Sequence, residues 1–279
     1  MKKSICVFTF ILLCFGVFAQ ESQDTQKKFN LWGSGQTFKL TPITDGILLG
    51  TGALIAGSSI VYPHIVDLKQ PVFDGNILDK STVNDLDRIF MQPYSKTLHT
   101  IGTVTMLGAT LTPAILAFAP AEEWMTICTM YAETLMFAYG IKEFAKIFIP
   151  RARPYMYFEG YPQEKVDDGD WCRSFPSGHT TPAFAGAAFS TYVFFKYFPD
   201  SPWKWAVAGG SYALAIGTGI LRICSGNHFL TDVLTGAAIG TVTGFVIPWI
   251  HTFSVESQGK DKTVQMEVTP MSLGLAVKF

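Results

Sequence analysis

Charge is scarce in this chain. Only 15% of the 279 residues are Asp, Glu, Lys or Arg, too few for a disordered polymer held open by its own charge. Neither sign dominates: 21 basic residues face 22 acidic ones, a formal net charge of −1, so there is no electrostatic footprint for nucleic acid. Internal repeats and low-complexity tracts are absent, which leaves a single helical domain to explain. His64, His99 and His251 form no ligand spacing with each other or with cysteine. No metal site and no cofactor are therefore expected.

What the chain has instead is apolar residues, 48% of the total with a mean hydropathy of +0.26. They are bunched into blocks of about twenty, the length that crosses a hydrocarbon core as a helix. The expected fold class is all-α, a polytopic membrane bundle of about six helices after an N-terminal signal sequence. Lys2 and Lys3, an apolar stretch over 6–18 and Val17-Phe18-Ala19 before Gln20 have the pattern of that signal, residues 1–19. Cys14 follows Leu13, not a small residue, so no lipidation is expected there. After a polar tail (20–40), a helical domain over 41–253 holds apolar blocks at 43–62, 97–118, 124–149, 180–198, 203–221 and 229–250, and 254–279 is a polar tail with two short alternating stretches. Trp124, Tyr197, Trp203, Trp205 and Trp249 stand at block ends, where amphipathic rings meet headgroups. Gly236, Gly240 and Gly244 in the last block, and Gly209, Gly210, Gly217 and Gly219 in the fifth, predict close helix packing.

Two loops, 64–95 and 150–179, are longer than a bundle requires, and both fall on one membrane side. The chemistry gathers there too: Lys146 ends the third block and Arg153-Pro154 follows, Pro176-Ser177-Gly178-His179 opens the fourth, and Arg222, His228 and Asp232 bridge the last two. Ionisable groups at the ends of membrane helices default to function. Lys146, Arg153 and Arg222 offer three cations, and an arginine fork matches phosphate oxygens. Ser177-Gly178 at a helix start offers free N–H groups and close backbone approach. His228 and Asp232, four apart, share a face, so the carboxylate can hold one ring nitrogen protonated and leave the other as a nucleophile. His179 is then available as the acid for the leaving group. Nearby Lys142 and Glu143 read as a local pair, Arg151 as structural in preference to a headgroup contact, Glu133 as paired inside the bundle and Lys196 as a snorkelling cation.

The spacing Lys-x6-Arg-Pro, then Pro-Ser-Gly-His, then Arg-x5-His-x3-Asp resembles the three-part signature of the type 2 phosphatidic acid phosphatase family, which bacterial class A acid phosphatases and vanadium haloperoxidases share. The resemblance covers about residues 97–250. It implies a membrane lipid phosphatase with a six-helix core, metal-free hydrolysis of a phosphate monoester or diphosphate on a lipid headgroup, and a phosphohistidine on His228. His179 would be the general acid, Asp232 would orient His228, and Lys146, Arg153, Ser177, Gly178 and Arg222 would hold the phosphoryl oxygens. Phosphatidic acid, phosphatidylglycerol phosphate, an isoprenyl diphosphate and phosphorylated lipid A are the substrates implied. One departure is Leu221, where the family commonly has Ser before the third-motif arginine.

The partners expected are therefore a phosphorylated lipid and the membrane of a bacterial-type cell. A soluble periplasmic acid phosphatase, and more remotely a non-catalytic protein on the same fold, are the rival readings. Folding the motifs together brings Cys172 and Cys224 to one rim, and a disulfide there would fit an oxidising compartment, hence a site facing the periplasm or exterior. A cleaved signal followed by six crossings puts the motif side in the cytoplasm instead, so orientation is open at this level.

Overall fold

The computed structural model describes residues 33–66, 71–259, 264–269 and 272–277. The expected signal, 1–19, lies outside them, as does most of the 20–40 tail. Six long helices form the bundle: α1 (Pro42–Ile65), α2 (Lys96–Thr110), α3 (Trp124–Phe148), α4 (Thr180–Tyr197), α5 (Lys204–Cys224) and α6 (Leu230–Gly259). Past α6, β1 (Val264–Thr269) and β2 (Ser272–Val277) pair as an antiparallel hairpin. Apart from that hairpin, the all-α membrane bundle read from the sequence is what the chain forms.

Helix starts follow local chemistry. Thr41 Oγ1 accepts from Thr44 N ahead of Pro42, and Ser95 Oγ accepts from Leu98 N, each satisfying an end amide that the helix cannot. The 97–118 block is not one continuous helix: α2 ends at Thr110 and a 3-10 segment, Thr112–Phe118, carries on across Pro113, whose ring cannot continue an α ladder. By length and composition, 42–63, 96–118, 204–224 and 230–253 could each cross a membrane, as the membrane reading expects. α3 and α4 are the inner helices. α3 buries Glu133, Lys142 and Lys146, and α4 buries an Ala, Gly and Thr surface on both sides.

The glycine stripe of α6 performs the packing expected of it. A methyl on Gly236, Gly240 or Gly244 would lie 2.9, 2.2 and 2.5 Å from the carbonyl oxygens of Ser177, just ahead of α4, and of Thr181 and Ala185 on it, so these helices touch backbone to backbone. The reading fails for α5: methyls on Gly209, Gly210 and Gly217 would meet nothing within 4 Å, and only Gly219 is in tight contact, with Val233. Those three lie on the outer side of the bundle, where composition cannot be told from packing.

Ahead of α1, residues 33–41 close one end of the bundle. Phe38 is buried among Leu116, Met130 and Phe189, Lys39 N donates to His251 O at 3.1 Å, and Ser34 N donates to Glu123 Oε1 at 3.1 Å. Lys146, His179 and His228 stand at the other end.

Candidate active site

At that second end lies a cavity of about 300 Å³, lined by motif residues Lys146, Arg153, Gly178, His179, Arg222 and His228, and also by Lys142, Glu143, Lys165, Asp170, Arg173, His99 and Asn227. Three sequence motifs thus share one wall. Six cations and two carboxylates line it, a surplus of positive charge. Such a site is complementary to a polyanion.

The third motif is shaped by how α5 stops. Gly226 adopts φ +68°, with its N–H on Ile223 O at 2.9 Å, and a methyl there would fall 2.4 Å from Gln92 O. This left-handed cap turns the chain so that Asn227 N and His228 N both donate back to Arg222 O at 3.2 Å. Asp232 Oδ2 then accepts from Phe229 N at 2.9 Å, capping α6.

His228 is 3% exposed, and its Nδ1 sits 2.7 Å from Ser174 O. A carbonyl only accepts, so Nδ1 carries the proton and Nε2 presents its lone pair. Nε2 lies 3.1 Å from Arg153 Nη1 at the cavity wall. Burial, reinforced by Arg153, pushes the His228 pKa down to about 3, which keeps Nε2 unprotonated, an acceptor for Arg153 Nη1. The expected Asp232 contact is indirect. Its Oδ2 is 3.7 Å from Nδ1 and accepts instead from Ser174 Oγ at 2.5 Å, so the carboxylate steadies the residue whose carbonyl holds the imidazole.

Arg153 is set by pairing of 151–153 with 171–174: Arg151 N and Arg153 N donate to Cys172 O and Trp171 O, each at 2.8 Å, and Ser174 N returns to Arg151 O at 3.0 Å. Its guanidinium donates to Asp170 Oδ1 at 2.6 Å and Asn227 O at 2.9 Å. Burial would raise the Asp170 carboxyl, but Arg153 and Lys165 outweigh it and hold the group below the usual carboxylate range. Lys146 Nζ donates to Arg173 O at 2.7 Å. Arg222, fully buried, donates to His99 O at 2.7 Å, has Nη1 3.2 Å from His99 Nδ1, and has no hydrogen-bond partner for Nε. No carboxylate pairs with it among the described residues. A buried guanidinium in that state is built to receive an anion.

His179 lies with Nε2 3.1 Å from Thr103 Oγ1. Burial, then Arg222 and His228, hold its pKa well below the ordinary histidine value. Gly178 faces the cavity, but Ser177 does not: its hydroxyl bonds Thr180 Oγ1 at 2.8 Å and its N–H goes to Asp232 O at 3.0 Å. Cys172 and Cys224 are not joined. Cys172 is buried in the Tyr155, Met156 and Trp171 cluster with Sγ 3.5 Å from Gly169 O, whereas Cys224 is exposed at the end of α5.

Behind the site is a network that sequence spacing missed. Arg151 Nη1 donates to Asp232 Oδ1 at 2.6 Å and Nη2 to Asp87 Oδ2 at 2.7 Å, both carboxylates fully buried. Asp87 also accepts from Thr231 N at 2.9 Å and Thr231 Oγ1 at 2.7 Å. Arg151 is thus structural, as read, and joins Asp87, in the short helix Asp85–Ile89, to the third motif. Lys142 and Glu143 pair as expected, with Arg173 added on Glu143 at 2.8 Å.

Comparison with known proteins agrees with the motif reading. A lipid A 1-phosphatase from Porphyromonas gingivalis is 46% identical over 83 residues, 30% of this chain but 17% of that protein's length. The bacitracin transport permease protein BcrC of Bacillus licheniformis is 28% identical over 167 residues, 57% of this chain and 76% of that one. Among solved structures, Aquifex aeolicus LpxE aligns with a TM-score of 0.42 and 21% identity, covering 63% of this chain and 98% of its own. A transmembrane PAP2-type phosphatidylglycerolphosphate phosphatase from Bacillus subtilis aligns with a TM-score of 0.36 and 17% identity, covering 94% and 99%. The PAP2 superfamily profile matches residues 128–256, the stretch that holds all three motifs.

Proposed function

We propose that this protein is a membrane lipid phosphatase that works through a phosphohistidine on His228. The observation that carries the reading is the unprotonated Nε2 of a buried histidine, beside Arg153 at the wall of a cation-rich cavity. Nε2 attacks phosphorus in line while Lys146, Arg153 and Arg222 neutralise charge on the phosphoryl oxygens. As the bond from phosphorus to the lipid oxygen breaks, His179 gives that oxygen a proton. Water then attacks the phosphohistidine with His179 as base, releasing phosphate and restoring both rings. His179 is neutral in the empty cavity, because burial and its cationic neighbours disfavour the charged ring. A phosphate dianion bound between it and Arg222 reverses that electrostatic balance, so the acid acquires its proton with the substrate.

For the lipid, we favour a phosphorylated lipid A. The support is the 46% identity of one segment to a lipid A 1-phosphatase and a charge surplus larger than one phosphate needs. We place the cavity on the periplasmic side. The support is its two loops, 64–95 and 150–179, which are long and rich in Asp and Glu; cations do not choose the side, since beyond Arg151, Lys165 and Arg173, which pair with carboxylates, Lys80, Arg88 and Lys96 balance Lys39, Lys196 and Lys204. Because residues 33–41 and the cavity stand at opposite ends of the bundle, this orientation and cleavage after Ala19 exclude each other. Reporter fusions within 163–169 decide between them.

The test of function is phosphate release from lipid A 1-phosphate, phosphatidylglycerol phosphate and isoprenyl diphosphate in mixed micelles, with acid-labile phosphoenzyme trapped in parallel. Lipid A should be preferred, and His228→Ala should lose turnover and phosphoenzyme together. Normal turnover in His228→Ala would end the proposal.

A further inference from the structure

Far from the cavity, three ionisable side chains that take no part in the chemistry converge inside the bundle. Asp45 of α1, Glu133 of α3 and His251 of α6 are 5%, 0% and 0% exposed, and one ligand atom from each lies within 4.8 Å of the others. His251 is 19 residues past Asp232 on α6, about 28 Å along the axis at 1.5 Å per residue. Sequence spacing could not reveal the group, since Glu133 and His251 are 118 residues apart.

The hydrogen bonds present do not satisfy it. His251 Nε2 and Glu133 Oε2 are 2.8 Å apart, but Asp45 Oδ1, Glu133 Oε1 and His251 Nδ1 are all buried without a partner. Nδ1 and Asp45 Oδ1 are 3.9 Å apart, too long for a hydrogen bond. The charges do not close either. Among the described residues no lysine or arginine pairs with Asp45 or Glu133, so a protonated His251 still leaves one uncompensated negative charge between membrane helices. A divalent cation with a neutral imidazole closes the balance, because two carboxylates offset its two charges. The mixed nitrogen and oxygen donors suit zinc, whose ligand distances of about 2.0–2.2 Å need only small side-chain rotations from a 4.8 Å cluster.

We propose that Asp45, Glu133 and His251 form a structural divalent-cation site of the zinc type, which ties α1 and α3 to the far end of α6. The ion takes no part in phosphoryl transfer. It couples α1, of whose span 11% is buried, by ligand bonds to α3 and to the far end of α6.

The test uses the full-length protein, purified in detergent after growth in zinc-supplemented medium and removal of any affinity tag. Elemental analysis should find about one zinc per chain. After stripping with a strong chelator, zinc added back should raise the thermal unfolding midpoint by several degrees, and magnesium should not. Glu133→Gln and His251→Gln should purify with less than a tenth of the wild-type zinc. Should either variant fail to fold, the wild-type stoichiometry and the zinc titration of stripped protein decide the matter. Wild-type protein without stoichiometric zinc, no zinc-dependent shift after stripping, or unchanged zinc in a folded variant would each overturn the site and point to a proton shared among the three groups.

Discussion

Gly102→Ala separates the function of the anion site from the stability of the fold. Gly102 is buried on α2, and a methyl there would lie 2.7 Å from Arg222 Nη2 and 3.0 Å from Nε, where about 3.4 Å is ordinary contact. The guanidinium must retreat by about 0.7 Å, and its bond to His99 O, now 2.7 Å, must break or bend. The atoms in the way are the far end of a flexible side chain, so the fold yields easily. Removing a glycine from a helix interior should itself stabilise by about 0.5–1 kcal/mol. A phosphate contact displaced on that scale costs about 10²-fold in rate, in line with about 1.5–3 kcal/mol for a charge-assisted hydrogen bond. We therefore expect kcat/KM for a lipid phosphate to fall about 100-fold, with vanadate inhibition weakened in parallel and the thermal midpoint unchanged or raised. Steady-state kinetics and thermal melts on the same preparation measure both. If kcat/KM stays within about threefold of wild type, Arg222 does not hold the phosphoryl group in the position assigned to it.

Asp87→Ala strips one carboxylate from Arg151 and leaves Thr231 N unpaired; unfolding in denaturant should show a loss of about 3–5 kcal/mol, as for other broken buried ion pairs. Stability should also fall in acid. His228 has a folded pKa of about 3 against about 6.5 unfolded, so its contribution is complete above pH 6.5 and is lost as pH falls from there toward 3, at up to about 1.4 kcal/mol per pH unit. Melts at pH 7.5 and 5.5 should differ accordingly, and a flat profile would contradict the buried, neutral ring. His179→Ala should slow turnover of alkyl phosphates by roughly 10²- to 10⁴-fold but affect an activated aryl phosphate much less, a comparison that single-turnover kinetics makes directly.

Both the helices and the motif residues were legible in the sequence because each is written in local spacing: apolar blocks of bilayer length, and cations and histidines at fixed intervals on helix ends. What stayed hidden depends on contacts between distant segments. Asp87 looked like one acidic loop residue among several, and only its bonds to Arg151 and Thr231, 64 and 144 residues away, set it apart. His99 was weighed as a metal ligand and set aside, yet its carbonyl and Nδ1 hold Arg222 from 123 residues away. The Cys172 to Cys224 pairing failed because closeness of motifs does not fix side-chain direction. For the glycines, identical composition on α5 and α6 concealed opposite surroundings.

The glycine seam between α4 and α6 has a kinetic meaning as well. His179 caps the start of one of these helices and His228 lies two residues before the other, so the gap between the proposed acid and nucleophile is fixed by how closely the two backbones lie along the seam. Three positions without side chains work as a ruler for proton transfer: a single added methyl at Gly240, 2.2 Å from Thr181 O, would wedge the axes apart and lengthen that gap with no catalytic group altered. The two histidines must then move as one rigid unit, and any opening that admits a bulky lipid has to come from the segments facing them, 151–173 and the start of α2.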